Sequence, residues 1–454
     1  MKNDSPKFPI SLLLFLCLFD LLMVSCGSVH LIDSSSPKGS QARPVNDFLN
    51  SLGVNSAIST RGESLQKTIA IAKYLGIRWI RSGYEGNLPT ADLIKLHRQT
   101  GLRFSYGLLS GGSDIDRLLT NARQLATEGA LLAIEGANEP NNWQVIYQNE
   151  SGGKNKNWLP VAHLQSDLYL AVKNDPILKN YPVWSISESG AETNNVGLQF
   201  LKIPSGAETE MPAGTKYADF ANCHNYFTHP SHPGLYDNQT WNAADPSKFC
   251  KVDGLYGNYG ITWRDHFTGY SDRKLSDLPR VTTETGAVLK GELTEEKQGC
   301  LYLNLYLDQF KRGWSYTAIY LLRDRSDESG NQQFGFYKAN YAPRKSAIYL
   351  HNLTSILKDE GKTKRKEGTL SYSIPEKPAT VHHLLLQKTN GTFELILWDE
   401  RKELSDRVMA KLGKSHRALT IYDPTVSSSP IKHIKNADSV SLTLSNHPMI
   451  IEIP

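Results

Sequence analysis

From about Asn46 to Asn352 the chain alternates short β-rich runs with amphipathic helical stretches, and the β-rich run recurs eight times. The runs are Gly53-Val54-Asn55, Ile77 to Ser82, Arg103 to Leu108, Leu131 to Asn138, Pro182 to Ser187, Phe220 to Tyr226, Arg280 to Glu284 and Thr317 to Leu322. Helices are predicted between them over Ser64–Leu75, Asp114–Glu128, Pro160–Lys173, Glu295–Arg312 and Arg344–Leu357. Strands separated by helices lie parallel, and eight such units close into a (β/α)8 TIM barrel, here expected over residues 45–360. Few other folds tolerate this alternation.

After Lys366 the character changes. Short β runs follow at Leu370–Ile374, Val381–Lys388, Thr392–Trp398, Ala418–Tyr422, Val440–Leu444 and Met449–Ile453, with Asn390-Gly391 marking a hairpin turn. Residues 367–454 are therefore expected to form a small antiparallel β-sandwich, giving an α/β chain of barrel plus sandwich. Lys362 to Lys366, the densest basic run, falls between the two and reads as a solvated linker. A net charge of +4 over 454 residues, with no other basic cluster, argues against nucleic acid as a partner.

The first 26 residues carry a targeting signal. Lys2 and Lys7 precede an apolar run from Phe8 to Val24, interrupted by Asp20, that ends at small residues before Cys26. Met23-Val24-Ser25-Cys26 resembles a bacterial lipobox, with Met where Leu is more usual. Two outcomes stay open, a lipid on Cys26 with residues 27–44 as tether, or a plain cleaved signal peptide. Either implies an exported protein: a periplasmic, outer-membrane or cell-surface lipoprotein, or a secreted one. In an oxidising compartment Cys223, Cys250 and Cys300 allow one disulfide, and loop geometry favours Cys223 with Cys250. The cysteine and histidine spacings contain no zinc pattern, so neither metal nor organic cofactor is expected.

Two strings carry chemistry. Ala137-Asn138-Glu139-Pro140 ends the fourth β run, and Thr283-Glu284-Thr285-Gly286 ends the seventh. Carboxylates at the C-terminal tips of barrel strands stand where such barrels keep their active sites. Two of them facing each other can serve as proton donor and nucleophile on a glycosidic bond. By the strand period of two, Glu135 shares a face with Glu139 and must find a partner inside the barrel. Arg81, ending the second run, can hold Glu284 ionised, and Asn138 can donate to a sugar hydroxyl. Tyr226 can donate to Glu284, and His224 can meet the sugar or the acid. Each string alone is more often a turn or a helix cap, and an isolated arginine more often a salt bridge. The conjunction at strand ends carries the argument. Trp143, Trp158, Tyr236, Trp241, Tyr256 and Trp263 fall in expected mouth loops and can stack on sugar rings. Glu188, Glu192 and Asp324 also lie near strand ends, and Asp324 is the foremost candidate for a further substrate contact.

Ala133 to Trp143 resembles the acid/base segment of clan A glycoside hydrolases, and Thr282 to Gly286 resembles their nucleophile segment. The pattern is most similar to cellulase-like and family-39-like bacterial members, which pair the barrel with a C-terminal β-sandwich. The resemblance implies Glu139 as acid/base and Glu284 as nucleophile, with Arg81, Asn138, His224 and Tyr226 in support. It implies retention of anomeric configuration on an equatorially linked poly- or oligosaccharide. Many members carry a Trp at the tip of strand eight beneath the reacting sugar. Here Tyr320-Leu321-Leu322-Arg323-Asp324 stands in its place, so the identity of the sugar does not transfer. A non-catalytic carbohydrate-binding lipoprotein and a transglycosylase are the alternatives this sequence leaves open.

Overall fold

The computed structural model describes residues 39–154, 157–187, 215–228, 234–245, 279–327, 333–361 and 366–454. The targeting segment, Cys26 and most of the expected tether lie outside these residues. So do Glu188, Glu192, Cys250, Tyr256, Trp263 and the centre of the basic run.

Eight strands form one parallel sheet. In chain order they are Leu52–Asn55, Trp79–Ser82, Arg103–Gly107, Leu131–Glu135, Val183–Trp184, Ala221–His224, Arg280–Thr285 and Trp314–Ile319, strands one to eight below. Strand eight pairs with strand one in parallel, so the sheet curls on itself. Between strands five and six a single parallel bridge, Trp184 to Phe220, completes the ring. Register shifts occur at the tips of strands six and seven, and bulges there re-aim side chains at the mouth.

The helices match their predicted spans within a residue or two: Leu65–Leu75, Ile115–Thr127, Leu159–Asn174, Glu295–Lys311 and Lys345–Ile356. An additional helix, Thr90–Thr100, sits between strands two and three. Local chemistry sets their ends. Asp114 and Thr294 accept from the amides of Arg117 and Lys297 at the N-termini, each capping an otherwise orphaned N–H.

The barrel interior is layered. Trp79, Ala133, Trp184 and Val281, with Tyr316 and Phe220, fill its lower part, and the Trp79 and Trp184 rings meet edge to face at 5.6 Å. Two residues further along three of these strands, on the same inward face, come Arg81, Glu135 and Thr283. An aromatic floor therefore carries a polar layer.

The second domain is a seven-stranded, mostly antiparallel sheet folded over its own core. Its central strands, Val381–Gln387, Phe393–Asp399 and Pro448–Ile453, are apolar on both faces because both are covered. Leu395, Leu397, Ile451 and Ile453 point into the sandwich core, while Ile396, Trp398 and Ile450 pack into the barrel's cluster. The helix Glu295–Lys311 lies in that seam, and every residue from Gln298 to Phe310 is buried.

Three details differ from the sequence expectations. The tether ends before Pro44, since Ser40–Gln41 pairs with Thr369–Leu370 and Arg43–Pro44 with Leu386–Gln387. Two sandwich strands are much longer than predicted, Asp406–Tyr422 and Lys432–Leu444, because Val408, Ala410 and Leu412 alternate with exposed Arg407, Met409 and Lys411. At Asn390-Gly391 only Gly391 takes positive φ, and its amide donates to Lys388 O at 2.9 Å. The connection is a type I turn closed by a left-handed glycine rather than a two-residue turn.

Candidate active site

Arg81 anchors the polar layer. Its guanidinium is fully buried, and its planar fork reaches three acceptors. Nε donates to both oxygens of Glu135 at 3.0 Å, and Nη2 donates to Glu135 Oε1 at 2.7 Å and to Asn138 Oδ1 at 2.8 Å. Nη1 donates to Glu284 Oε1. The interior partner that Glu135 requires is thus the same arginine expected to serve Glu284. The Tyr84 ring lies 4.1 Å beneath the guanidinium.

Glu284 stands one residue before the end of strand seven, buried, with Tyr226 donating to its Oε2 at 2.8 Å. Gly286 completes the motif for a steric reason. Its φ is +150°, and a Cβ there would sit 2.9 Å from Tyr320 O. Glu139 leaves strand four with φ +43°, a left-handed conformation that is strained for a non-glycine residue and clusters at functional sites. The turn it starts is held by Asn142 and Trp143, whose amides both donate to Glu139 O. Its side chain is 12% exposed, making it the more accessible of the two carboxyl groups.

His224 ties the pair together. Its Nδ1 lies 2.6 Å from Glu139 Oε1 and 3.5 Å from Glu284 Oε2, and its Nε2 lies 3.0 Å from Thr283 Oγ1. Glu139, His224 and Glu284 each present an atom within 4.8 Å of the other two. That spacing would also suit a divalent cation. Here, however, the adjacent guanidinium already supplies positive charge, and the three residues direct those atoms at one another, Tyr226 and Arg81.

Environment separates the two carboxyls. Burial pushes Glu284 above the usual carboxylate range, opposed by His224 and by contact with Arg81, and reinforced by Glu139. Against that burial, the permanently charged guanidinium of Arg81 and the Tyr226 hydroxyl both donate to Glu284, which favours its anionic form. Burial also pushes His224 down to about 4, against the pull of Glu284, so the imidazole is neutral near pH 7. Tyr226 is raised well above its ordinary value, by burial first and then by Glu284, and remains a donor. An anionic carboxylate and a second carboxyl within reach of it, against a neutral imidazole, can attack an electrophilic carbon and pass a proton to its leaving group.

Of the residues expected in the site, Arg81, Asn138, Glu139, His224, Tyr226 and Glu284 are brought together. Trp143 stands at the rim, 54% exposed, four residues from Glu139. Asp324 is taken up by the protein itself. It is buried, paired with Arg344 and accepting from Gly335 N at 2.7 Å, which fastens the chain after strand eight. Trp158 is a core residue. Trp241 lies in the seam between the domains, stacked 3.9 Å from His382, so it does not line the mouth. Cys223 and Cys300 are buried free thiols. Tyr320, at the tip of strand eight, sets its ring edge-on to Tyr226 at 6.4 Å.

Sequence reasoning missed the supporting shell. Asn222 donates to Glu135 Oε1 at 3.2 Å, Thr283 contacts the same oxygen at 2.9 Å, and Asn138 donates to Ser110 Oγ at 3.0 Å. The inward period on strands six and seven contained the signal for Asn222 and Thr283. Ser110, in a turn after strand three, gave none.

No family model matches the sequence, and no curated protein does either. Solved structures do match in fold. A family 39 glycoside hydrolase from the gut symbiont Bacteroides cellulosilyticus WH2 aligns over 91% of this chain and 81% of its own, at 14% identity and TM-score 0.56. CelM2, a bifunctional glucanase-xylanase from a metagenome library, covers 92% and 97% at 10% identity and TM-score 0.55. The GH51 arabinofuranosidase from Xanthomonas axonopodis pv. citri covers 93% and 98% at 10% identity and TM-score 0.53. The shared fold is the TIM barrel with a C-terminal β-sandwich, consistent with the clan A resemblance of the two motifs.

Proposed function

We propose that this chain is a retaining glycoside hydrolase acting on an equatorially linked poly- or oligosaccharide. The observation that carries the reading is the carboxyl pair: an oxygen of Glu139 and one of Glu284 lie within 4.8 Å, at the ends of strands four and seven. Double displacement needs carboxyl groups about 5–5.5 Å apart, whereas inversion leaves roughly 6.5–9.5 Å for a water between them. Glu284, anionic beside Arg81 and Tyr226, attacks the anomeric carbon and forms a glycosyl ester. Glu139 protonates the departing oxygen, then as carboxylate takes a proton from the water that cleaves the ester. The resemblance of both motifs and the fold shared with glycoside hydrolases support this reading, as does the strained backbone at Glu139.

Export is part of the proposal and rests on residues 1–26, with Cys26 as the lipid-bearing residue if the signal is of lipoprotein type. The test expresses the parent and Glu284→Gln from their own signal and assays cell fractions on β-linked polysaccharides and aryl β-glycosides. The parent is expected to act outside the cytoplasm and to release product of retained anomeric configuration. The variant should lose at least about 10³-fold, the scale of removing a nucleophile. Equal activity in both would remove Glu284, inverted product would remove the double displacement, and cytoplasmic activity would remove export.

A further inference from the structure

The hydrogen-bond partners of Thr283 fix a proton position two residues away. Thr283 Oγ1 lies 2.9 Å from Glu135 Oε1, 3.0 Å from Asn222 Oδ1 and 3.0 Å from His224 Nε2. Glu135 Oε1 already takes hydrogen bonds from Arg81 and Asn222 and offers only lone pairs. The Asn222 amide is oriented by its Nδ2, which faces Glu135 Oε1 and Ser185 O, so its Oδ1 is an acceptor too. A hydroxyl has one hydrogen. Given to His224, it would leave Oγ1 facing two acceptors, one in a buried carboxylate, with no proton between them. Shared by Glu135 and Asn222, it leaves Oγ1 free to accept from His224 Nε2–H.

From this we infer that Thr283 is a positioning residue: it locks His224 as the Nε2–H tautomer, whose Nδ1 lone pair holds the resting proton on Glu139 Oε1. This deepens the glycosidase reading and rests on it. At 2.6 Å the Nδ1···Oε1 contact needs a hydrogen, and a neutral imidazole protonated at Nε2 cannot supply it. Asn142 Nδ2 donates to the other oxygen, Oε2, at 3.1 Å, which marks Oε1 as the protonated one. Among the described residues, the charged groups that bear on His224 are Glu139, Glu284, Arg81 and Glu135, and Tyr226 donates to Glu284 beside it. When Glu139 gives up its proton, the same lone pair faces a carboxylate, which favours its return from water.

The test is the imidazole ¹⁵N spectrum of the resting mature chain, with His224 among the 13 histidines assigned by its loss in His224→Gln. The parent should show protonated Nε2 and a hydrogen-bonded, unprotonated Nδ1. Thr283→Val removes the acceptor at constant shape, freeing His224 to take the Nδ1–H form and donate to an ionised Glu139. The alkaline limb of kcat/KM should then fall by about one pH unit, the scale of one charge-assisted hydrogen bond. Thr283→Ser, which keeps the hydroxyl, should retain the parent's tautomer and limb. A protonated Nδ1 in the parent, or a Thr283→Val enzyme with both readouts unmoved, would overturn the inference. The spectrum needs no substrate, so a chain inactive on every glycoside would sink the function and leave this test standing.

Discussion

Two of the close carboxyl pairs among the described residues stand in different surroundings. At the barrel mouth, Glu139 and Glu284 face one another across His224. In the seam between the domains, Asp308 and Glu400 meet at the Thr240 hydroxyl, 2.8 Å from each. The mouth pair is asymmetric: Glu284 touches a guanidinium, and Glu139 an imidazole and the solvent. The seam pair is spent on structure. Asp308 accepts from Trp398 Nε1 at 3.0 Å, and Glu400 Oε2 accepts from the amides of Thr240 and Trp241. Burial and then Glu400 push Asp308 well above the ordinary carboxylate range, so the seam keeps a proton between two acids. Proximity of two acids is therefore no sign of catalysis.

The sharpest way to break the comparison is to exchange the readouts. Glu284→Gln should cost at least about 10³ in turnover, roughly 4 kcal/mol on the barrier. Asp308→Ala should leave turnover at the parent's level below its melting transition. It should lower the unfolding free energy by about 2–4 kcal/mol, because it strands Trp398 Nε1 and leaves a cavity in a buried seam. Denaturant titrations beside initial rates test both. An Asp308→Ala enzyme of full stability would show the seam pair to be idle.

The same contrast explains what could be read in advance. Period and position announced Glu139 and Glu284, because strand ends are local features and a barrel mouth collects them from eight places. Asp308 sits in the last turn of its helix and Glu400 beyond a strand in the other domain, and their meeting depends on docking no local pattern encodes. Ser40 to Pro44 failed for that reason too, since four of these tether-like residues pair with strands more than 300 positions away. The Arg344 partner of Asp324 was not legible, because a strand-end carboxylate looks alike whatever it faces. The long strand Asp406–Tyr422 was partly legible, but Gly413 to His416 broke its alternation where the register shifts.

A smaller effect comes from pH. Asp308 holds its proton in the native state after the unfolded chain has released it. Its contribution is complete below the unfolded pKa and declines as pH rises through the folded one, at most about 1.4 kcal/mol per pH unit for one proton. Asp308→Asn carries hydrogens that do not titrate. Its stability should fall less than the parent's as pH rises above the ordinary carboxylate range. Parallel slopes for the two proteins in denaturant titrations above that range would remove the shared proton from the seam.

The smallest effect concerns two tryptophans that looked equivalent in the sequence. Trp241 is stacked on His382, with the Arg312 guanidinium 4.4 Å from its ring, and helps fill the seam. Trp143 leaves more than half its surface open at the mouth, beside the turn that carries Glu139. An exposed ring adds little to folding, so Trp143→Ala should change stability by less than about 0.5 kcal/mol. Losing an aromatic platform is worth about 1 kcal/mol, which would lower kcat/KM on an oligosaccharide about five-fold, mainly through KM. An aryl glycoside too short to reach the rim should notice it less. If the variant instead melts early and keeps its kcat/KM on both substrates, Trp143 belongs with Trp241 as packing. The accessible surface next to Glu139 would then not be where sugar binds.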